Sequence, residues 1–136
     1  MNRALWTCCF LALAAGCALP PERVPLKPLF EDSPPQLYND LLGRARVQAT
    51  AATEAFFVNG WTDVEEMAKG LEQTARFLPK ALEVPSRQRD QIPEKATNLE
   101  KEAQQLALAA RAQNVKLTND IMQRINLMVR ELRVEN

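Results

Sequence analysis

The sequence predicts an all-α fold, an up-down-up-down four-helix bundle, and three observations lead to this prediction. Apolar residues recur at spacings of three and four through most of residues 36–134, which is the period of a helix with one buried face. Prolines and one Asn-Gly pair interrupt these stretches at positions that would leave segments of similar length. No window alternates apolar and polar residues over a useful length, so we expect no β-sheet.

The first sixteen residues have the layout of an export signal. Arg3 gives a positive start, and Ala4 to Ala15 is an apolar run interrupted only by Thr7. The run is too short to span a bilayer, which takes about 20 apolar residues. Residues 1–16 are therefore predicted to be a removable signal peptide.

The residues Leu13-Ala14-Ala15-Gly16-Cys17 resemble the lipobox of bacterial lipoproteins, with Ala14 where leucine is most typical. The resemblance implies cleavage between Gly16 and Cys17 and a lipid on the Cys17 sulfur, and hence a bilayer as the first partner. A lipid-anchored domain would then face the periplasm, and Ala18 favours the outer membrane if the cell has one. The alternative is an ordinary signal peptide followed by an incidental cysteine.

Residues 17–32 are predicted to be a tether, because six of the nine prolines fall between Pro20 and Pro35. Proline-rich segments favour the extended polyproline conformation at about 3.1 Å per residue. About fifteen such residues hold a domain roughly 45 Å from its anchor. The helical domain is accordingly assigned to residues 33–136.

The first helix is predicted to start at Ser33-Pro34-Pro35-Gln36, with Ser33 as N-cap and Gln36 closing a capping box. Its apolar stripe consists of Leu41, Ala45, Ala49, Ala52 and Phe56. Asn59-Gly60 predicts the first break. Thr62 and Glu65 form a second possible capping box.

The second helix should end at Pro79, and its stripe consists of Val64, Ala68, Leu71, Ala75 and Leu78. A polar connection follows. Pro93 then suits the first turn of a third helix, with Asp90 as a possible cap. Ion pairs four residues apart are predicted at Glu65–Lys69, Glu72–Arg76 and Asp120–Arg124.

The region from Glu94 to Asn136 contains no proline or glycine and allows two interpretations. It could be one helix of about 40 residues, near 60 Å long, in a long hairpin that dimerises. A bend near Gln113-Asn114 would instead give four segments of similar length that close one core. We favour the four-helix bundle.

Composition argues against catalysis and against nucleic-acid binding. The sequence has no histidine, which removes the commonest general base and the commonest metal ligand. Beyond residue 16 there are 16 basic and 17 acidic side chains, so no basic surplus is available for phosphates. We expect no enzyme activity, no catalytic residue, no metal and no cofactor. Cys17 is the only cysteine after residue 16, so the domain cannot form an internal disulfide.

Four aromatic residues are the candidate partner-binding set: Phe56, Phe57, Trp61 and Phe77. The favoured interpretation of these residues is core packing, and the functional alternative is that they meet at one end of the bundle as an apolar groove for a partner helix. Glu65-Glu66 and Glu100-Lys101-Glu102 are interpreted as solvated surface, because neighbouring lysines accompany them and adjacent helical residues point about 100° apart.

The segments Trp61-Thr62-Asp63-Val64 and Leu106-Ala107-Leu108-Ala109-Ala110-Arg111 resemble exported bundles of the cytochrome c-prime type. The resemblance covers residues 36–134 and implies a four-helix scaffold. The haem attachment motif of that family, two cysteines followed by histidine, is missing here. Residues 121–126 read Ile-Met-Gln-Arg-Ile-Asn instead, so the resemblance implies a haem-free relative.

These features together predict a membrane-anchored, non-catalytic helical domain in the cell envelope. Its expected partner is another envelope protein or a second copy of itself. The alternative functions are a small-molecule carrier with a cavity inside the bundle, and a haem-free relative of the cytochrome c-prime type.

Overall fold

The computed structural model describes residues 26–133, and these form four α-helices. Helix α1 is Tyr38–Phe57, α2 is Trp61–Phe77, α3 is Ile92–Arg111 and α4 is Val115–Glu131. A 3₁₀ turn, Leu78–Lys80, follows α2 directly. The predicted signal peptide, the predicted Gly16–Cys17 cleavage site with Cys17, and the first part of the predicted tether lie outside the described residues.

The four helices pack against one another as an up-down-up-down bundle, as predicted. The direction of each helix follows from contacts between its ends and those of its neighbours. The start of α1 meets the end of α4 through Tyr38 and Leu132, and the start of α2 meets the end of α3 through Glu65 and Arg111. We call the end with the α1–α2 and α3–α4 turns the tip, and the opposite end the base.

The core combines many alanines with fewer large side chains. The fully buried large residues include Leu41, Leu71, Leu99, Leu106, Ile121 and Ile125. Between them lie small residues on facing positions, including Ala45, Ala68, Ala103 and Ala110. Small residues let helix axes approach closely, so a domain with few large side chains can still fill its interior.

The predicted helix breaks are confirmed at three places. Asn59-Gly60 separates α1 from α2, and Asn59 adopts a left-handed φ of 57°. Helix α2 ends two residues before Pro79, and Pro93 lies in the first turn of α3. The C-terminal region is two helices rather than one long helix. Gln113 has a φ of 51°, a conformation that a continuous helix excludes.

The new helix start after this turn is capped by Asn114, whose side-chain oxygen accepts from the Leu117 amide at 3.0 Å. The three caps predicted from sequence are wrong. Helix α2 starts at Trp61, so Thr62 lies inside its first turn, and α3 starts after Gln91, so Asp90 lies outside it. Neither α2 nor α3 has a side-chain cap.

Ser33 does not cap α1 because α1 begins at Tyr38. A residue before proline avoids the helical region, and both Ser33 and Pro34 precede prolines. The Ser33 hydroxyl instead accepts from the Phe30 amide at 2.9 Å. The following residues pair with the α2–α3 connection, where Tyr38 donates its amide to the Leu82 carbonyl at 2.9 Å.

The base is closed by hydrogen bonds around Tyr38, which is 1 % exposed. Its hydroxyl lies 2.5 Å from the Leu132 carbonyl oxygen and 2.9 Å from Gln88 Oε1. Gln88 Nε2 donates to the Arg133 carbonyl at 2.7 Å. One tyrosine thus joins the start of α1, the α2–α3 connection and the end of α4. Burial raises the pKa of this hydroxyl above its usual value, and the charge of Arg46 offsets part of that effect.

Candidate functional site

Three of the four candidate aromatic residues meet at the tip. The Phe56 ring contacts Phe57 edge-on at a centroid distance of 6.0 Å and Trp61 at 5.7 Å. Phe56 and Trp61 are partly buried against the core, whereas Phe57 is 76 % exposed. Phe56 therefore contacts both the partly buried Trp61 and the exposed Phe57.

Phe77 does not join this set. It lies at the other end of α2, sixteen residues or about 24 Å from Trp61. Its ring is 7 % exposed and belongs to the core, and Lys80 Nζ lies 5.9 Å from its centroid. Sixteen residues of straight helix keep the two aromatics at opposite ends, so Phe77 packs in the core, the favoured interpretation, and the alternative of a groove formed by all four is wrong for Phe77.

The tip also carries other exposed apolar side chains. Val58 follows Phe57 in the α1–α2 turn and is 75 % exposed. Leu108, Val115 and Leu117, next to the α3–α4 turn, are exposed as well. Five of the eleven exposed large hydrophobic residues in the described part of the chain therefore lie at this end.

The largest pocket described is an open groove along the outside of α1 and α2, with a volume of about 800 Å³. We call it the α1–α2 groove. Its walls combine small and apolar residues of both helices with a rim of polar side chains. The apolar and small lining residues are Leu26, Pro28, Val47, Ala51, Ala55, Val58, Met67 and Gly70.

Small residues line the groove on both helices. Ala51 and Ala55 lie on α1, and Gly70 lies on α2. A Cβ atom at Gly70 would lie 2.7 Å from Gln48 Nε2, so the absence of a side chain at residue 70 leaves room for this amide. A glycine inside a helix costs stability, and here it makes space for a neighbouring side chain.

A buried polar pair holds α1 to α2 beneath the groove. Gln48 is 3 % exposed and Thr74 is fully buried. The Thr74 hydroxyl lies 2.8 Å from Gln48 Oε1 and 3.0 Å from the Gly70 carbonyl oxygen. A buried amide with one suitable partner fixes the register of the two helices, because sliding either helix would leave its oxygen unpaired.

The chain segment that precedes α1 contributes Leu26 and Pro28 to the lining of the α1–α2 groove. Leu29 packs against the core, and Arg44 of α1 donates to the Lys27 carbonyl. On the α2 side, Leu29 and Phe30 line a depression together with Gln73 and Phe77. Leu29 and the Lys27 carbonyl, which lie in the stretch assigned to a tether from sequence, thus contact the helical domain.

The opposite side of α2 is closed by charged side chains. Glu65 Oε1 lies 2.6 Å from an Arg111 guanidinium nitrogen and 2.7 Å from Lys69 Nζ. The Arg111 hydrogen bond, and then that of Lys69, lower the pKa of the Glu65 carboxyl to about 2. The pair with Lys69, four residues away, is predictable from sequence, whereas the bond to Arg111 of α3 is not.

Other predicted surface charges also join helices. Arg76 contacts Glu72 at 2.5 Å, as predicted, and also Glu100 of α3 at 2.8 Å. Arg124 does not pair with Asp120 as predicted. It contacts Glu102 of α3 at 2.9 Å instead. Neighbouring helices offer partners that periodicity along one helix does not reveal.

The described residues offer no group of three or more metal-ligating side chains, and none of their helices is long and apolar enough to cross a membrane. Comparisons of the chain with protein-family models, with curated proteins and with solved structures found no match. The arguments for function therefore start from the exposed tip and from the α1–α2 groove.

Proposed function

We propose that this chain is a lipid-anchored envelope protein whose helical domain binds another protein through its apolar tip. The exposure of Phe57 and Val58 at one end of a well-packed bundle is the observation that carries the proposal. Exposed apolar side chains concentrated in one place mark interaction surfaces more often than scattered ones do. The lipobox-like sequence at Cys17 supports the anchor, and the proposed location is the membrane surface facing the periplasm, at the outer membrane if there is one.

A protein partner suits the tip better than the bilayer itself. Phe57 is an exposed aromatic side chain that packs on Phe56, which in turn contacts Trp61, and aromatic residues are enriched at protein interfaces. Val58 borders the part of the α1–α2 groove that also carries Asp63 and Glu66. These carboxylates would be repelled by anionic lipids, whereas a protein surface can supply matching cations.

Site-specific photo-crosslinking in intact cells tests this proposal. A photoreactive phenylalanine analogue replaces Phe57 in one variant and Leu127 in the control. Leu127 is also an exposed apolar residue, but it lies near the base end of α4. We expect a discrete protein adduct from residue 57 and none from residue 127, and an adduct of twice the chain mass would identify self-association. Adducts with lipid only, or equal protein adducts from both positions, would refute the proposal.

A small-molecule carrier is the second candidate, and the volume of the α1–α2 groove favours it. About 800 Å³ falls within the usual range for ligand pockets, roughly 300–1,000 Å³. The groove lies on the outside of the bundle, not inside it as expected from the sequence. Solvent extraction of the native protein followed by mass spectrometry would reveal a stoichiometric small ligand if this function is correct.

A further inference from the structure

Three arginines line one open pocket between α1 and α4. Arg46 belongs to α1, Arg130 lies in the last turn of α4, and Arg133 follows that helix at the base. The pocket has a volume of about 160 Å³, and we call it the arginine pocket. Its other lining residues are Ala49, Thr50, Asn126 and Val129, so no carboxylate of the described chain lines it.

The arginines of this pocket are unpaired, unlike those at two other helix interfaces. Arg76 and Arg111 contact carboxylates across the α2–α3 interface, and Arg124 contacts Glu102 across the α3–α4 interface. Within residues 26–133, the three guanidinium groups of the arginine pocket take part in no ion pair and no hydrogen bond. Three positive charges therefore surround one pocket at the α1–α4 interface, and no described carboxylate offsets them.

The end of α4 does not use these side chains as caps. Cations near a helix C-terminus commonly donate hydrogen bonds to its last carbonyls. Here the carbonyls of residues 131–133 accept, in that order, from Lys95 at 3.2 Å, Tyr38 at 2.5 Å and Gln88 at 2.7 Å. Because other segments supply these donors, the three guanidinium groups remain available to a ligand.

We propose that the arginine pocket binds a phosphate group, either as inorganic phosphate or as the phosphomonoester headgroup of a lipid. The pocket opens on a different surface from the apolar tip and from the α1–α2 groove. The inference therefore does not depend on the proposed binding of a protein at the tip.

The chemistry of the pocket suits phosphate better than a carboxylate. A guanidinium presents its donors in a fixed fork that matches two phosphate oxygens. A phosphomonoester carries about −1.5 to −2 charge at pH 7 and three strong acceptor oxygens. A carboxylate has one charge and two oxygens, which is too little for three arginines. Thr50 and Asn126 add a hydroxyl and an amide donor to the lining.

The size of the pocket limits the occupant to a small group. A volume of about 160 Å³ corresponds to roughly five waters at about 30 Å³ each. Pockets for whole organic ligands usually hold about 300–1,000 Å³. A phosphate group therefore fits inside, and the rest of a phosphomonoester would lie outside the pocket.

The neutral composition of the chain is compatible with such a local site. The sequence has 17 basic and 17 acidic side chains, but the two signs are not evenly distributed over the described surface. Glu65, Glu72, Glu100 and Glu102 are engaged by cations of α2, α3 and α4. The α1–α4 interface is left with a local excess of positive charge.

A phosphate titration of the full chain, purified in a non-ionic detergent, tests the proposal. The backbone amide signals of Thr50 and Asn126 are followed by nuclear magnetic resonance as inorganic phosphate replaces chloride at constant ionic strength. We expect saturable shifts at these two residues. The amide of Lys101, an exposed residue of α3, should not shift.

Arg46→Gln and Arg130→Gln each remove one guanidinium group from the pocket, and each should raise the Kd for phosphate at least tenfold. Arg130 is exposed and Arg46 is half-buried, so neither substitution opens the core. Lys101→Gln is the matched control, because it removes the same charge from a site outside the pocket. It should change the Kd less than twofold.

A second probe distinguishes the two sources of the phosphate group. Dihexanoyl phosphatidic acid carries a phosphomonoester on a short-chain lipid, and dihexanoyl phosphatidylcholine controls for its acyl chains. Shifts at Thr50 and Asn126 that saturate at a concentration of phosphatidic acid at least tenfold below that of inorganic phosphate would identify a lipid headgroup. Equal affinity for the two probes would identify phosphate itself, and either result supports the site.

Two results would overturn the proposal. One is the absence of saturable shifts at Thr50 and Asn126 with both phosphate probes. The other is an equal loss of binding in Lys101→Gln and in the two arginine variants, since that would show attraction to the overall charge and not to the arginine pocket. Neither result would bear on photo-crosslinking from Phe57 at the tip.

Discussion

The two sides of α2 are built differently. Toward α3, α2 is bound by charged pairs, Glu65 with Arg111 and Arg76 with Glu100, whose exposed positions make each worth little singly. Toward α1, it is bound by small residues and by the buried Gln48–Thr74 pair, and the surface above them stays open. The comparison teaches that charged pairs close the α2–α3 side, whereas small and apolar residues line an open groove on the α1–α2 side.

The largest effect should come from filling the space that Gly70 leaves. Gly70→Val places side-chain atoms where Gln48 Nε2 lies and should lower the free energy of unfolding by about 2 kcal/mol, a typical cost of overpacking. Denaturant unfolding followed by circular dichroism measures it.

Gly43→Ala is the matched control, since Gly43 is also inside a helix but a Cβ atom added there would meet no other atom within 4 Å. Alanine there should raise the free energy of unfolding by about 0.5–1 kcal/mol. If both variants changed stability in the same direction, the groove floor would not depend on Gly70 in the way described.

The next prediction compares the same substitution, threonine to valine, at two buried positions. Thr74→Val leaves Gln48 Oε1 without its hydrogen-bond donor and should cost about 1–3 kcal/mol. Thr118 of α4 is equally buried, but its hydroxyl has no hydrogen-bond partner among the described residues. Thr118→Val should therefore raise the free energy of unfolding, by about 1 kcal/mol.

Thermal and denaturant unfolding of the two valine variants give the comparison directly. Opposite signs are expected. A loss of stability at residue 118 as large as that at residue 74 would mean that the Gln48–Thr74 bond is not what holds α1 to α2.

A smaller effect is expected at the base. Tyr38→Phe removes the hydroxyl that meets Leu132 and Gln88, and it should lower the free energy of unfolding by about 1 kcal/mol at pH 7. Because burial raises the Tyr38 pKa, the folded state holds this proton more tightly than the unfolded state does. The contribution is complete below about pH 10, and it is lost as pH rises through the folded pKa.

Unfolding measured from about pH 8 to pH 11.5 in both proteins tests this assignment. The difference in stability between the native chain and Tyr38→Phe should shrink as pH rises above about 10. A difference that stays constant across this range would show that the Tyr38 hydroxyl is not buried as the structure has it.

The smallest effect belongs to the charged side of α2. The pKa of Glu65 is lowered to about 2, so its contribution to stability is complete above pH 4.5 and is lost as pH falls toward 2. Glu65→Gln should reduce the acid sensitivity of unfolding between about pH 5 and pH 2. An acid sensitivity of unfolding in Glu65→Gln equal to that of the native chain would contradict this assignment.

The element boundaries were the most predictable part of the fold. Proline and Asn-Gly act locally, so the ends of α1 and α2 and the start of α3 could be located from sequence. The α3–α4 turn was harder because its signal, Gln113-Asn114, contains no glycine or proline. The turn was favoured because four helices of similar length can surround one shared core.

The candidate site was predictable only in part. Phe56, Phe57 and Trp61 flank a turn, so their proximity follows from chain connectivity. The position of Phe77 could be predicted only by knowing that α2 runs without a break from Trp61 to Phe77. The α1–α2 groove depends on how two helices rotate against each other. Val47 and Ala51 lie off the apolar stripe identified in the sequence, and Gly70 in mid-helix was the one signal that could have located the groove.

The proposed function depends on a lipid anchor at Cys17 that holds the domain at a membrane surface. Mass spectrometry of the N-terminal peptide of the native protein tests this claim most directly. We expect the chain to start at Cys17 and this residue to carry a diacylglyceryl group. A chain that keeps residues 1–16, or one that starts at Cys17 with an unmodified thiol, would contradict the claim.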